Sequence, residues 1–218
     1  MQTKTLSVNI SESIGKVSAV LTTPENATAA LVLAHGAGAG MLHPFMTQLA
    51  TLLASESVAT IRYNFPFVEK KSKRPDVPAV AEKTVGVLLD FAIETFPEIP
   101  VFLAGKSFGG RMSSQYISKN PQTGLKGIIF YGFPLHPPGK PGIERAEHLK
   151  KVNVPMLFLQ GTKDTLATID LIQPVCAELP TARLVTFDGA DHSFKAKGKI
   201  LLSELASATV EWIAEKGS

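Results

Sequence analysis

The chain has 218 residues, of which 44% are hydrophobic and 19% charged, and its formal net charge is +3. This balance fits one soluble globular domain, residues 1–218, with a sizeable core. No long basic block points to nucleic-acid binding as the main role, and no run reaches the roughly eighteen apolar residues of a membrane span.

Residues 6–10 and 16–21 alternate apolar and polar side chains around the turn sequence SESIG, which predicts an N-terminal antiparallel hairpin. Residues 30–34 form a continuous apolar strand ending in His35-Gly36-Ala37-Gly38-Ala39-Gly40. A helix is predicted over 44–57, a strand over 58–63 and a long helix over 78–96. Between these lie Lys70, Lys71, Lys73 and Arg74, a short basic cluster broken by Pro75 and Pro78 that reads as a solvated loop. A strand at 101–104 and a helix at 111–119 follow, then a strand at 125–131 and a proline-rich loop from Gly132 to Gly142. The remaining elements are a short polar helix at 144–150, strands at 154–160 and 183–187, and helices at 168–178 and 200–216. Strands alternating with long helices predict an α/β fold: a mostly parallel eight-stranded sheet with helices on both faces. Chemistry in such sheets gathers at the carboxyl ends of the strands.

One stretch organises the rest. Gly105-Lys106-Ser107-Phe108-Gly109 spells G-x-S-x-G between a strand and a helix, the context of a nucleophile elbow. Ser107 needs a base, and the base needs a carboxylate to fix its tautomer. Of the five histidines, His192 stands in a polar loop after the last strand, where the base belongs in the order Ser, acid, His. Asp164 follows the preceding strand and is the candidate acid, although it could also cap the next helix. Asp191 is a weaker alternative. An oxyanion hole requires two N–H donors. Phe108 supplies one, and the glycine loop supplies the other, through Ala37 or, as second choice, Gly38. His35 reads as a structural pin of that loop.

HGAGAG, GKSFGG, GTKD and GADHSF, in this order, resemble the α/β-hydrolase superfamily over nearly the whole chain. The fuller strings GKSFGGRM and FYGFPLHPPGKP resemble its small dienelactone-hydrolase-like subgroup, which includes the testis-expressed and NSL-complex hydrolase-like proteins. The resemblance implies a serine hydrolase fold with Ser107, Asp164 and His192 as a triad. Dienelactone hydrolases proper use a cysteine nucleophile, so Ser107 makes dienelactone a poor substrate expectation.

Only residues 132–150 occupy the place where many relatives insert a lid, so no lid domain is expected. Phe133, Leu135 and His136 are then expected to border an open site as substrate-binding residues, with Phe108 on the rim. Arg62, Lys106, Lys140 and Lys195 are expected at the same sheet edge, favouring an anionic substrate part. The reading is hydrolysis of small or short-acyl carboxylic esters or thioesters through an acyl-enzyme. The alternative is a noncatalytic interaction module with the same fold. A nucleotide-binding role through HGAGAG is disfavoured, because that segment lacks the Rossmann spacing and the P-loop lysine. No metal or cofactor is expected, and no nucleic-acid or membrane partner. The lone Cys176 excludes an internal disulfide, and with the absence of a signal-peptide-like start it leads to a cytoplasmic expectation.

Overall fold

A computed structural model describes residues 1–217. Its centre is one eight-stranded sheet in the order β1-β2-β4-β3-β5-β6-β7-β8. The strands are β1 (Gln2–Ser11), β2 (Gly15–Thr23), β3 (Ala29–Ala34), β4 (Val58–Tyr63), β5 (Val101–Lys106), β6 (Leu125–Tyr131), β7 (Met156–Gly161) and β8 (Ala182–Phe187). β1 and β2 pair antiparallel, β2 joins β4 antiparallel, and every pairing from β4 to β8 is parallel. Burial explains the two patterns. β3 and β4 are buried at every residue, and β3 reads as a continuous apolar run, whereas the outer hairpin exposes much of β1 and keeps its alternation.

The period-2 geometry of the strands feeds two cores. Leu31 and Leu33 of β3, Phe102 and Ala104 of β5 and Tyr131 of β6 face helices α1 (Pro44–Ser55) and α6 (Leu202–Lys216), which pack on each other. Tyr131 and Thr209 of α6 share a hydroxyl hydrogen bond of 2.8 Å in this layer. Val32, Leu103, Ile128 and Phe130 face the other way, toward α3 (Pro78–Thr95) and α4 (Phe108–Lys119). A short helix α2 (Pro66–Glu69) precedes α3, and α5 (Ile169–Ala177) lies between β7 and β8.

Several boundaries differ from the sequence expectation. The elbow helix starts at Phe108 rather than at 111, directly on the turn. The segment Glu144–Lys151 is a 3-10 turn, not an α-helix. A two-residue-per-strand hairpin, β9 (Lys195–Ala196) and β10 (Lys199–Ile200), precedes α6 and takes the first residues assigned to it. Such short strands carry no readable period. Among the described residues, no helix is long and apolar enough to cross a membrane.

The chain changes direction across the sheet at β3: β4 lies on one side and β5 on the other. Loops leaving β3 and β5 diverge at such a switch point and open a crevice at the strands' carboxyl ends. Ala34 pairs with Gly105, so His35 and Lys106 leave the sheet at the same level.

Candidate active site

The elbow is built by exclusion. A Cβ on Gly105 would strike the backbone of Gly109 and Gly110, and one on Gly109 would lie 2.7 Å from the His35 carbonyl oxygen. With those clashes absent, β5 turns straight into α4 and Ser107 takes φ 50°, ψ −114°. A non-glycine residue in that region is strained, and the surrounding packing must hold it there. The strain lifts Ser107 Oγ above the sheet.

His192 Nε2 lies 2.9 Å from Ser107 Oγ, and His192 Nδ1 lies 2.7 Å from Asp164 Oδ2. An ionised carboxylate only accepts, so Nδ1 carries the proton and Nε2 is free to accept from the serine hydroxyl. Asp164 is buried and fully engaged. Leu166 N–H donates to its Oδ1 at 2.8 Å, and Gln160 Nε2 donates to its Oδ2 at 2.6 Å. Gln160 Oε1 in turn accepts Phe133 N–H at 3.0 Å. Asp191 points elsewhere: its Oδ1 accepts the N–H groups of Ser193 and Lys195 and shapes the turn after His192.

Ala37 lines the cavity with Ser107, and Phe108 directly follows Ser107 at the start of α4. Among the described residues neither donates to a backbone carbonyl outside regular structure, and Phe108 is the first residue of its helix, where N–H groups point outward. His35 fixes the glycine loop. Its Nδ1 donates to the Gly36 carbonyl at 2.8 Å, and its Nε2 accepts Phe65 N–H at 3.0 Å. Because Nε2 accepts an amide proton, the ring is neutral. Burial pushes its pKa down to about 4, against the Gly36 hydrogen bond, which pulls upward.

A cavity of about 470 Å³ opens beside Ser107. Its apolar walls come from Phe45 and Met46 of α1, Leu166 and Ile200; Gln48, His43 and Ser193 add polar groups. The expected rim residues are elsewhere. Phe133 and Leu135 are 0% exposed and His136 2%, and none lines the cavity. Phe133 packs against Phe130 and Phe158, and His136 N–H donates to the Leu166 carbonyl. The prolines after Gly132 fold this loop down onto the α3–α4 core rather than leaving it as a border. The Phe108 ring likewise packs on Phe65 and Phe67 instead of forming a rim.

Two of the cations expected to meet substrate are also committed. Arg62 is buried and its Nη1 donates to the Met41 carbonyl at 3.1 Å. Lys106 Nζ donates to the His192 carbonyl at 2.6 Å and lies 5.5 Å from the centre of the Phe194 ring. Gly132, at φ 72°, leaves room for this ammonium: a Cβ there would lie 3.2 Å from Lys106 Nζ, 3.4 Å from His192 Nδ1 and 3.5 Å from Asp164 Oδ2. Sequence reasoning missed Gln160, Leu166 and Ile200. The strand period held a signal for Gln160, which shares a face with Phe158.

Comparison with known proteins agrees with this architecture. A family model described as an alpha/beta hydrolase domain matches residues 27–213. The chain superposes on dienelactone hydrolase from Anabaena variabilis with TM-score 0.81 and 22% identity, covering 100% of this chain and 99% of that one. It superposes on an alpha-beta serine hydrolase homologue from Coxiella burnetii with TM-score 0.78 and 20% identity, over 98% of each chain. A Xanthomonas campestris protein described as an a/b serine hydrolase without lid gives TM-score 0.77 at 18% identity, over 99% and 95%. Two Mycobacterium tuberculosis proteins named "Putative phosphoribosyl transferase" are each 24% identical over 205 residues, 91% of this chain but 44% of theirs. The chain thus spans less than half the length of these curated relatives.

Proposed function

The chain belongs to the alpha/beta hydrolase domain family, and on that premise we propose that it is a serine hydrolase of carboxylic esters or thioesters, acting through an acyl-enzyme. The observation that carries this reading is the unbroken hydrogen-bonded series Ser107–His192–Asp164 at a strained elbow. A noncatalytic module would have no use for that strain. The transferase name belongs to the longer mycobacterial proteins and does not enter the reading.

In the proposed reaction, Ser107 Oγ forms a bond to the substrate carbonyl carbon while its proton passes to His192 Nε2. The carbonyl π pair moves onto oxygen, and the amides of Ala37 and Phe108 donate to that oxyanion. Asp164 stays ionised and stabilises the imidazolium. Collapse of the intermediate expels the alcohol or thiol, which takes the proton from His192. Water then repeats the sequence on the acyl-enzyme, releasing the acid and restoring Ser107.

The cavity supports a small acyl group: its walls are apolar, and about 470 Å³ is near the low end of ligand pockets. Arg62 does not support the expected anion preference, because it is buried and serves the Met41 carbonyl; Lys106 lines the cavity while donating to the His192 carbonyl. A cytoplasmic setting fits the single, buried Cys176, whose thiol pKa burial pushes up to about 12.

A fluorophosphonate probe is expected to modify Ser107, and Ser107→Ala is expected to remain folded and unlabelled. On p-nitrophenyl esters, kcat/KM is expected to peak at acyl chains of about two to four carbons, where added methylenes, each worth about 0.8 kcal/mol when buried, stop finding a wall. Labelling that survives Ser107→Ala would sink the nucleophile assignment.

A further inference from the structure

We propose that Lys106 is a positioning residue that clamps the base loop to the nucleophile elbow, through the hydrogen bond from its ammonium to the His192 carbonyl. This rests on the reading of His192 as the base.

The neighbourhood shows why such a clamp is needed. The start of the base loop is tied to the loop after β7. Lys163 N–H donates to the Ala190 carbonyl at 2.9 Å, and Gly189 N–H donates to Thr162 Oγ1 at 2.8 Å. Past the base, Asp191 closes a turn on Ser193 and Lys195, and the Phe194 ring is buried against Phe45 and Phe187. Between those anchors, the His192 backbone makes one hydrogen bond among the described residues, and its donor is Lys106. Lys106 also lies beside the opposite loop: it lines the cavity with Gly36, and a Cβ built on Gly36 would be 3.7 Å from its Cγ. One side chain, next to Ser107 in sequence, therefore spans the crevice from the oxyanion loop to the base. Gly132 gives the ammonium room: a Cβ there would crowd Lys106 Nζ at 3.2 Å.

The clamp also responds to pH. Burial lowers the Lys106 pKa to about 8, although Asp164 from the β7 loop and Asp191 from the β8 loop pull it back upward. His192 and the Phe194 ring are the other groups it faces. Losing the proton turns a charge-assisted hydrogen bond into a neutral one of roughly half the strength. The same charge also disfavours a developing imidazolium, so clamp and field make opposite predictions for turnover when Lys106 is removed.

The test is amide hydrogen exchange at Ser193, Phe194 and Lys195 in the full chain, corrected for intrinsic rates, alongside kcat and KM on a short-acyl ester. From about pH 7 to about pH 9 the wild-type loop is expected to lose protection about fivefold, the equilibrium factor that goes with halving a charge-assisted hydrogen bond. Lys106→Met is expected to be loose at both pH values, with kcat lowered about tenfold and KM little changed. Lys106→Arg, which does not titrate in this range, is expected to hold the loop at both. A Lys106→Met loop as protected as the wild type overturns the clamp. So does a Lys106→Met enzyme that turns over faster with its loop intact, which would show a field effect instead. If the wild type hydrolyses no ester, the function proposal fails, while the exchange measurements still decide the clamp.

Discussion

The two sides of the crevice are held by different chemistry. On the oxyanion side, His35 pins the glycine loop as a neutral ring that donates to Gly36 and accepts from Phe65. On the base side, Lys106 holds the His192 carbonyl with an ammonium. His35 is buried and Lys106 half-buried at the cavity wall, and loss of hydration lowers both pKa values, to about 4 and about 8. At neutral pH this leaves one uncharged and the other mostly protonated. The neutral pin is satisfied without cost in charge and is insensitive to mild alkali. The charged pin is stronger per hydrogen bond, but it carries a burial penalty and a titration near working pH. A site need not be equally rigid on its two sides, and here the mobile partner of the proposed reaction, the base, has the adjustable support.

The comparison is sharpened first by what a true loss of chemistry looks like. Asp164→Asn keeps the Leu166 N–H bond but puts an amide NH2, which cannot accept, where Gln160 Nε2 and His192 Nδ1 now donate; it favours the wrong His192 tautomer, and kcat is expected to fall about 10⁴-fold. If a pin variant costs as much, the pins take part in chemistry and the distinction collapses.

His35→Leu comes next. It leaves the buried Phe65 N–H and Gly36 carbonyl unpaired, and stability is expected to drop by about 3 kcal/mol in urea unfolding. Wild-type His35 binds its proton in the unfolded chain below about pH 6.5 but in the fold only below about 4. Stability is therefore lost as pH falls through that window, and His35→Leu is expected to lose less there. His148, also lowered to about 4, keeps its own share of the slope. An unchanged slope would show that the ring is not held neutral.

The smallest effect is on Lys106. Lys106→Met removes a buried charge but also a hydrogen bond to a buried carbonyl, for a net gain of about 1 kcal/mol near pH 7. Between about 8 and 10.5 the unfolded chain holds the lysine proton more tightly than the fold, so wild-type stability rises with pH across that interval. The variant's advantage is expected to shrink accordingly in thermal or urea unfolding. An advantage that grows with alkali would mean the ammonium is stabilised by the fold. A variant more stable yet slower is the trade expected of a functional buried charge.

Much of this was legible in the residues. The inner strands declared themselves because buried parallel strands are short apolar runs, the outer hairpin by its alternation, and the elbow because only glycines permit its turn. The segment after Gly132 was not legible: its prolines forbid regular structure but do not say which way the loop folds, and it folds inward on Phe133 and Leu135. Lys106 does lie at the expected sheet edge and lines the cavity, but its bond to the His192 carbonyl was not legible. Alternation from Phe102 and Ala104 puts it on the face of Phe194 and α1, yet a lysine at a strand end invites a solvent-facing reading. Gln160 was hidden by its apolar neighbours Phe158 and Leu159, although a buried amide demands partners.

The strand order has a consequence for how activity would be lost. Ser107 and the glycine loop leave β5 and β3, central strands paired on both sides, while His192 follows β8, a strand with a neighbour on one side only. Sheet margins open locally at lower free energy than sheet centres. Under mild denaturant Ser107 is expected to stay in place after His192 has drifted away. Inactivation then precedes unfolding, and because the detached segment lies at one margin, it can return without the rest of the sheet having to reassemble.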